Sequence, residues 1–208
     1  MNKFSLFLFA LLVSSFSLYS QQKLSKNKNS TFNILFIGNS LTYTNNLPDL
    51  VKKAAKKKGI KVKSKTIAFP NYAIVDHWND GQVIELIGSK NFDFVIIQQG
   101  PSSQNEGRKI LIENGKEYRS LCELTDTKLC FFMVWPSLTY YNTFDNVVKN
   151  YTDAASINNS ILLPVGKVWK DYFDETNDFQ YYSSDGFHPS LKGSKIAAQV
   201  IVEYLFYK

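Results

Sequence analysis

Apolar and polar positions along this chain follow two alternating periods. Ile34-Leu-Phe-Ile37 is an unbroken apolar run closed by Gly38, and a run of that length bounded by Gly reads as a buried strand. Ile60 to Ala68 alternates apolar residues with Lys or Ser, the period of a half-exposed strand. Phe92-Asp-Phe-Val-Ile-Ile97 is the most apolar later stretch and is predicted to be the central strand. Lys128 to Val134 and Ile161 to Pro164 add a fourth strand and a short fifth. Helical spacing fills the intervals. One helix opens at Leu47-Pro48, with Pro in its first turn, and ends at Gly59. Further helices are predicted over residues 75–88, 104–124, 144–156, 167–173 and 190–206, the last carrying Leu191, Ile196, Ala197, Val200, Ile201 and Leu205 on one stripe. Five strand-helix alternations without a repeat or a Pro/Gly-rich linker predict one doubly wound α/β domain on a parallel sheet. In such a sheet the loops after the strands share one rim, where ligand sites gather. Those loops fall at Ser40, at Pro70–Tyr72, at Gln98–Ser103 and at Trp135–Asn142.

Composition changes this picture at the ends and on one face. With 208 residues, 44% of them hydrophobic, the chain can bury one good core and hardly two. Residues 1–20 have a basic start, an apolar middle and a small residue at the exit, as in a secretory signal peptide. Residues 21–31 are polar and aperiodic and read as a disordered lead-in to a domain spanning 32–208. The expected location is therefore secreted or periplasmic, with no membrane anchor left after cleavage. The net charge of +6 is concentrated in Lys52, Lys53, Lys56, Lys57, Lys58, Lys61, Lys63 and Lys65. No aromatic residues are interleaved with them, so they read as a solvated helix face and a blunted edge strand, and no nucleic-acid partner is expected. Cys122 and Cys130 fit either a pair or two buried apolar residues, and they make no metal site.

The candidate chemistry gathers at the first rim loop. Ser40 stands where the first strand turns into a helix, and a serine there becomes a nucleophile only if a base removes its proton. The chain has two histidines, His77 and His188. His188 follows Asp185 in Asp185-Gly-Phe-His188-Pro, a spacing that brings a carboxylate beside an imidazole within one turn. Ser40 alone also fits a helix cap, and Asp185 with His188 a capping pair; together they compose a Ser-His-Asp triad. The Gly-x-Ser-x-Gly elbow is absent, since Thr42 stands at its second Gly.

Gly38-Asn-Ser40-Leu-Thr42 and Asp185-Gly-Phe-His188 resemble the first and last sequence blocks of the SGNH (GDSL-like) hydrolases. The resemblance spans roughly residues 32–206. It implies a flavodoxin-like three-layer α/β/α sandwich with about five parallel strands, and hydrolysis of carboxylic esters without a metal or cofactor. Its oxyanion donors carry over as Ser40 N–H and Asn71, the latter where the family has a Gly. Gln99-Gly100 is similar to the Gln-Gly of the carbohydrate acetylesterase branches, which favours Gln99 as a further donor, with Gln98 and Ser102 as rivals. Tyr72, His77 and Trp135 are candidates to bind substrate, an acylated sugar or other small ester; ordinary loop packing is the other reading of the two aromatics, and a His packed beside Trp78 and hydrogen-bonded locally is that of His77. A non-catalytic glycan-binding relative and an O-acyltransferase remain alternative readings of the same residues.

Overall fold

The computed structural model describes residues 30–89 and 91–208. The signal-peptide segment, and the lead-in as far as residue 29, lie outside the described residues. Five strands form one all-parallel sheet in the order β2-β1-β3-β4-β5. They are β1 (Thr31–Gly38), β2 (Lys61–Ala68), β3 (Phe94–Ile97), β4 (Lys128–Phe132) and β5 (Ile161–Leu163). β1 begins three residues earlier than its apolar run, because Thr31 already pairs with Lys61. The helices are α1 (Ser40–Tyr43), α2 (Leu47–Lys57), α3 (Ile74–Asn79), α4 (Gln82–Ser89), α5 (Asn105–Leu124), α6 (Phe144–Ile157), α7 (Val165–Thr176) and α8 (Leu191–Phe206). Short 3-10 turns at Thr44–Asn46 and Leu138–Thr143 occupy stretches that read as loop.

The helices make two layers. On one side α8 packs beside α2, and Phe206 meets Phe32 of β1 and Phe94 of β3 with ring centroids 4.8 and 5.7 Å away. On the other, α5 lies against α3, α4 and α6, and its Tyr118 hydroxyl donates to the Ile74 carbonyl at 3.0 Å. Both faces of β3 are therefore covered, and Phe94 to Ile97 are all buried, as an unbroken apolar run requires. At the opposite extreme, β2 is an edge strand on which Lys61, Lys63 and Lys65 are exposed, which blunts it against pairing.

The segment expected as one helix over 75–88 is two. Asp80 ends α3 and Gly81 sits at φ +76°, left-handed backbone that breaks the helical ladder before α4 resumes. Cys122 and Cys130 are buried free thiols, and burial pushes the Cys122 pKa up to about 12 and that of Cys130 well above its ordinary value. Among the described residues, no helix is long and apolar enough to cross a membrane.

The chain winds from β1 to β2 on one side and then crosses to β3 on the other. The sheet's topological switch point therefore lies between the carboxyl ends of β1 and β3, where parallel α/β sheets open a crevice. Gly38 and Gln98 leave the sheet there side by side.

Candidate active site

The Ser40 turn is held from beneath by Gln98. Asn39 is extended and caps α1, its Oδ1 accepting the Leu41 N–H at 3.1 Å. Gln98 Oε1 accepts the Asn39 N–H at 3.0 Å and the Thr42 hydroxyl at 2.7 Å, while Gln98 Nε2 donates to Asn39 Oδ1 at 3.0 Å. These contacts leave no room for a side chain at position 38. A Cβ on Gly38 would stand 2.4 Å from both Gln98 Oε1 and Thr42 Oγ1. Asn39 Nδ2 also donates to the Tyr72 carbonyl at 3.1 Å, tying the turn to the loop after β2.

The loop between α7 and α8 returns to this rim. Asn45 Nδ2 donates to the Pro189 carbonyl at 2.9 Å, and Trp135 Nε1–H donates to the Phe187 carbonyl at 2.9 Å. Gly186, at φ +67°, provides the tight bend. Within the loop Asp185 Oδ1 accepts from Ser183 Oγ at 2.7 Å and from the N–H groups of Phe187 and His188, each at 2.9 Å. Asp185 Oδ2 lies 2.6 Å from His188 Nδ1, and His188 Nε2 lies 3.0 Å from Ser40 Oγ. The hydrogen bond from His188, followed by those from Phe187, Ser183 and the His188 N–H, holds the Asp185 carboxyl well below the usual carboxylate range. An ionised Asp185 fixes the proton of a neutral His188 on Nδ1, leaving Nε2 to accept from the Ser40 hydroxyl. Ser40, Asp185 and His188, read from opposite ends of the domain, are thus in hydrogen-bond contact.

A hollow of about 220 Å³ opens at Ser40, with Asn71, Tyr72, Gly100 and Phe187 among its walls. Asn71 sits in left-handed backbone at φ +63°, a conformation Asn tolerates better than most residues. Neither Asn71 nor the Ser40 N–H has a partner among the described residues, so both are open to a ligand.

The structure places the other candidate residues as follows. Gln99 commits its two amide hydrogens to Ser102 Oγ at 2.8 Å and the Gly107 carbonyl at 3.1 Å. Ser102 accepts that bond and donates to the Gly100 carbonyl at 2.9 Å, so it too is committed. Gln98 spends its amide on the frame of the Ser40 turn and on the Gln99 carbonyl. His77 is 1% exposed, and its Nε2 donates to the Gly38 carbonyl at 2.8 Å. Burial lowers its pKa, against the raising effects of the Gly38 carbonyl, Asp80 and Asp76. Trp135 is fully buried and stacked on Trp169 with centroids 3.6 Å apart. Both therefore lie behind the walls, whereas Tyr72 lines the hollow. The structure adds Asn39 and Phe187 to the site. The hydrophilic Asn39 at the strand end was a visible signal for the first, while the second depends on long-range packing. Among the described residues, no three His, Cys, Asp or Glu side chains stand together as a metal site.

No protein-family model matches the sequence, and neither does any curated protein. Solved structures do share the fold. A protein from Slackia heliotrinireducens assigned as an SGNH hydrolase is 20% identical at a TM-score of 0.72, covering 85% of this chain and all of that one. The lipase/acylhydrolase from Enterococcus faecalis is 19% identical at a TM-score of 0.63, covering 83% and 94%. A mutant of Axe2, an acetyl-xylooligosaccharide esterase from Geobacillus stearothermophilus, is 16% identical at a TM-score of 0.63, covering 85% and 95%. The three-layer α/β/α fold of this chain is that of the SGNH hydrolases, and carbohydrate esterases are among the structures that share it.

Proposed function

We propose that this chain, built on the SGNH hydrolase fold, is an exported esterase that removes a short acyl group, such as acetyl, from a carbohydrate or similar small alcohol. The observation that carries the reading is the unbroken relay from Asp185 Oδ2 to His188 and from His188 Nε2 to Ser40 Oγ, with spacings of 2.6 and 3.0 Å. Ser40 Oγ attacks the ester carbonyl carbon as His188 Nε2 takes its proton. The resulting imidazolium is stabilised by Asp185, which stays ionised. The negative charge that develops on the carbonyl oxygen is met by the Ser40 N–H and by Asn71, in the mouth of the hollow. His188 then returns the proton to the departing alcohol, and water attacks the acyl-Ser40 by the same relay in reverse.

The size of the hollow supports a short acyl group. At about 220 Å³ it is smaller than the roughly 300–1,000 Å³ of sites that take drug-sized ligands. Tyr72 at its edge suits a sugar ring, and an acetyl-xylooligosaccharide esterase shares the fold. Export rests on the basic start and apolar middle of residues 1–20. The test is turnover of p-nitrophenyl acetate by the mature protein. Hydrolysis that disappears in Ser40→Ala, with an unchanged circular dichroism spectrum, is the expected result. Wild-type turnover no faster than the buffer rate would overturn the reading in favour of a glycan-binding relative.

A further inference from the structure

Beside the hollow at Ser40 lies a second one of about 370 Å³, lined by Pro70, Asn71, Tyr72, Asp76, Asn79 and Asp80. Asn71 and Tyr72 line both, so the two hollows flank the same turn. The second hollow owes its walls to two local features. The turn after β2 presents Tyr72, whose ring is wedged edge-on against Phe69 and His77, with centroids 5.1 and 4.9 Å away. The break between α3 and α4 leaves Asn79 and Asp80 exposed at a helix end instead of continuing one helix across the rim. Asp76 uses one carboxylate oxygen to accept the Ala73 N–H at 2.7 Å. No Lys or Arg is among the lining residues. The Tyr72 hydroxyl donates to the Asp80 carboxylate, and this hydrogen bond pushes the phenol pKa up and keeps Tyr72 neutral.

We propose that this second hollow binds the alcohol side of the ester, that the alcohol it accepts is a neutral polyhydroxyl group, and that Asp76 and Asp80 exclude anionic alcohols such as uronic acids. The proposal rests on Ser40 being the nucleophile. The ester carbonyl must come within bonding reach of Ser40 Oγ, so the acyl part takes the hollow that contains it. The remainder of the ester crosses Asn71 and Tyr72 into the adjoining space. There the amides of Asn71 and Asn79 can both donate and accept, and the carboxylates and the Tyr72 hydroxyl oxygen accept, which suits a ring bearing several hydroxyl groups. A carboxylate-bearing sugar in the same place would face two negative side chains with no cation in the lining. At separations of about 6–8 Å and an effective dielectric between those of protein surface and water, one such repulsion is worth roughly a five- to tenfold change in binding.

The experiment compares kcat/KM for two matched substrates at low salt, an acetylated methyl glucoside and an acetylated methyl glucuronide, alongside p-nitrophenyl acetate. Wild type is expected to favour the neutral ester by about tenfold or more. Asp80→Asn should shrink that preference about fivefold, and Asp80→Lys should abolish or reverse it. Asp126→Asn removes the same charge just before β4, at the amino ends of the strands, and should leave the preference unchanged. Equal use of both sugars by wild type, or a preference that Asp80→Lys does not move, would overturn the proposal while p-nitrophenyl acetate turnover leaves the nucleophile standing. Failure to hydrolyse any of the three would overturn both together.

Discussion

Replacing Gln98 with Met removes an amide that is 1% exposed and keeps a side chain of similar length. The amide accepts from Asn39 N–H and Thr42 Oγ1 and donates to Asn39 Oδ1. Asn39 Oδ1 retains the Leu41 N–H, and the Thr42 hydroxyl can rotate. The Asn39 N–H cannot rotate, and Asn39 is itself buried. One fixed orphan donor at about 1–3 kcal/mol, plus the net loss of the other bonds, puts the cost near 2–4 kcal/mol. For a domain of this size that lowers Tm by roughly 5–15 °C. The turn carrying Ser40 then loses its support, and a displacement of about 1 Å at a nucleophile can cost about a hundredfold in kcat. Gln98→Met should therefore lose stability and kcat together, read by differential scanning fluorimetry and p-nitrophenyl acetate turnover. A variant as stable as wild type with kcat reduced by about a hundred- to a thousandfold would refute this. That is the signature of a lost oxyanion donor, not of a lost frame.

Trp135→Phe removes the donor to the Phe187 carbonyl and part of the stack on Trp169, which should cost about 1–3 kcal/mol and lower kcat for every ester with KM little changed. A rise in KM confined to sugar esters would instead make Trp135 a substrate platform. His77 supplies a pH dependence of stability. Its pKa is lowered in the folded state by burial, so between that value and about 6.5 the unfolded chain binds more protons. Its contribution is therefore fully present above about pH 6.5 and is lost as pH falls through that value toward the folded pKa. Urea midpoints measured from pH 7.5 to 5 should fall for wild type and fall less for His77→Gln. Parallel curves would contradict the assignment.

Much of this architecture was legible because two local signals are strong. Unbroken apolar runs marked β1 and β3, and Gly59, at φ +77°, marked the end of the second helix. Ser40, Asp185 and His188 were legible as residues because each sits in a turn that the chain writes locally, although their meeting across 148 positions is a property of the sheet. What was not legible depends on what lies opposite. Strand alternation correctly sends Gln98 and Gln99 different ways, one toward Asn39 and the other toward Ser102 and Gly107. Both sides of a central strand are covered by protein, however, so neither direction led to the cleft. Trp135 was read as a cleft residue from its place in a rim loop, and His77, early in a predicted helix, as either a cleft residue or a packed one. Tertiary partners, Trp169 for the one and the Gly38 carbonyl for the other, draw both inward. The helix break at Gly81 was hidden because an isolated glycine in a helical pattern is often tolerated.

The most direct measurement of the nucleophile is fluorophosphonate labelling of the mature protein, with the modified peptide mapped by mass spectrometry. Covalent labelling at Ser40 that vanishes in Ser40→Ala and His188→Ala is the expected result, since the serine reacts only while His188 Nε2 can take its proton. A folded wild type that remains unlabelled beside a serine esterase that labels, or labelling that persists in His188→Ala, would contradict it.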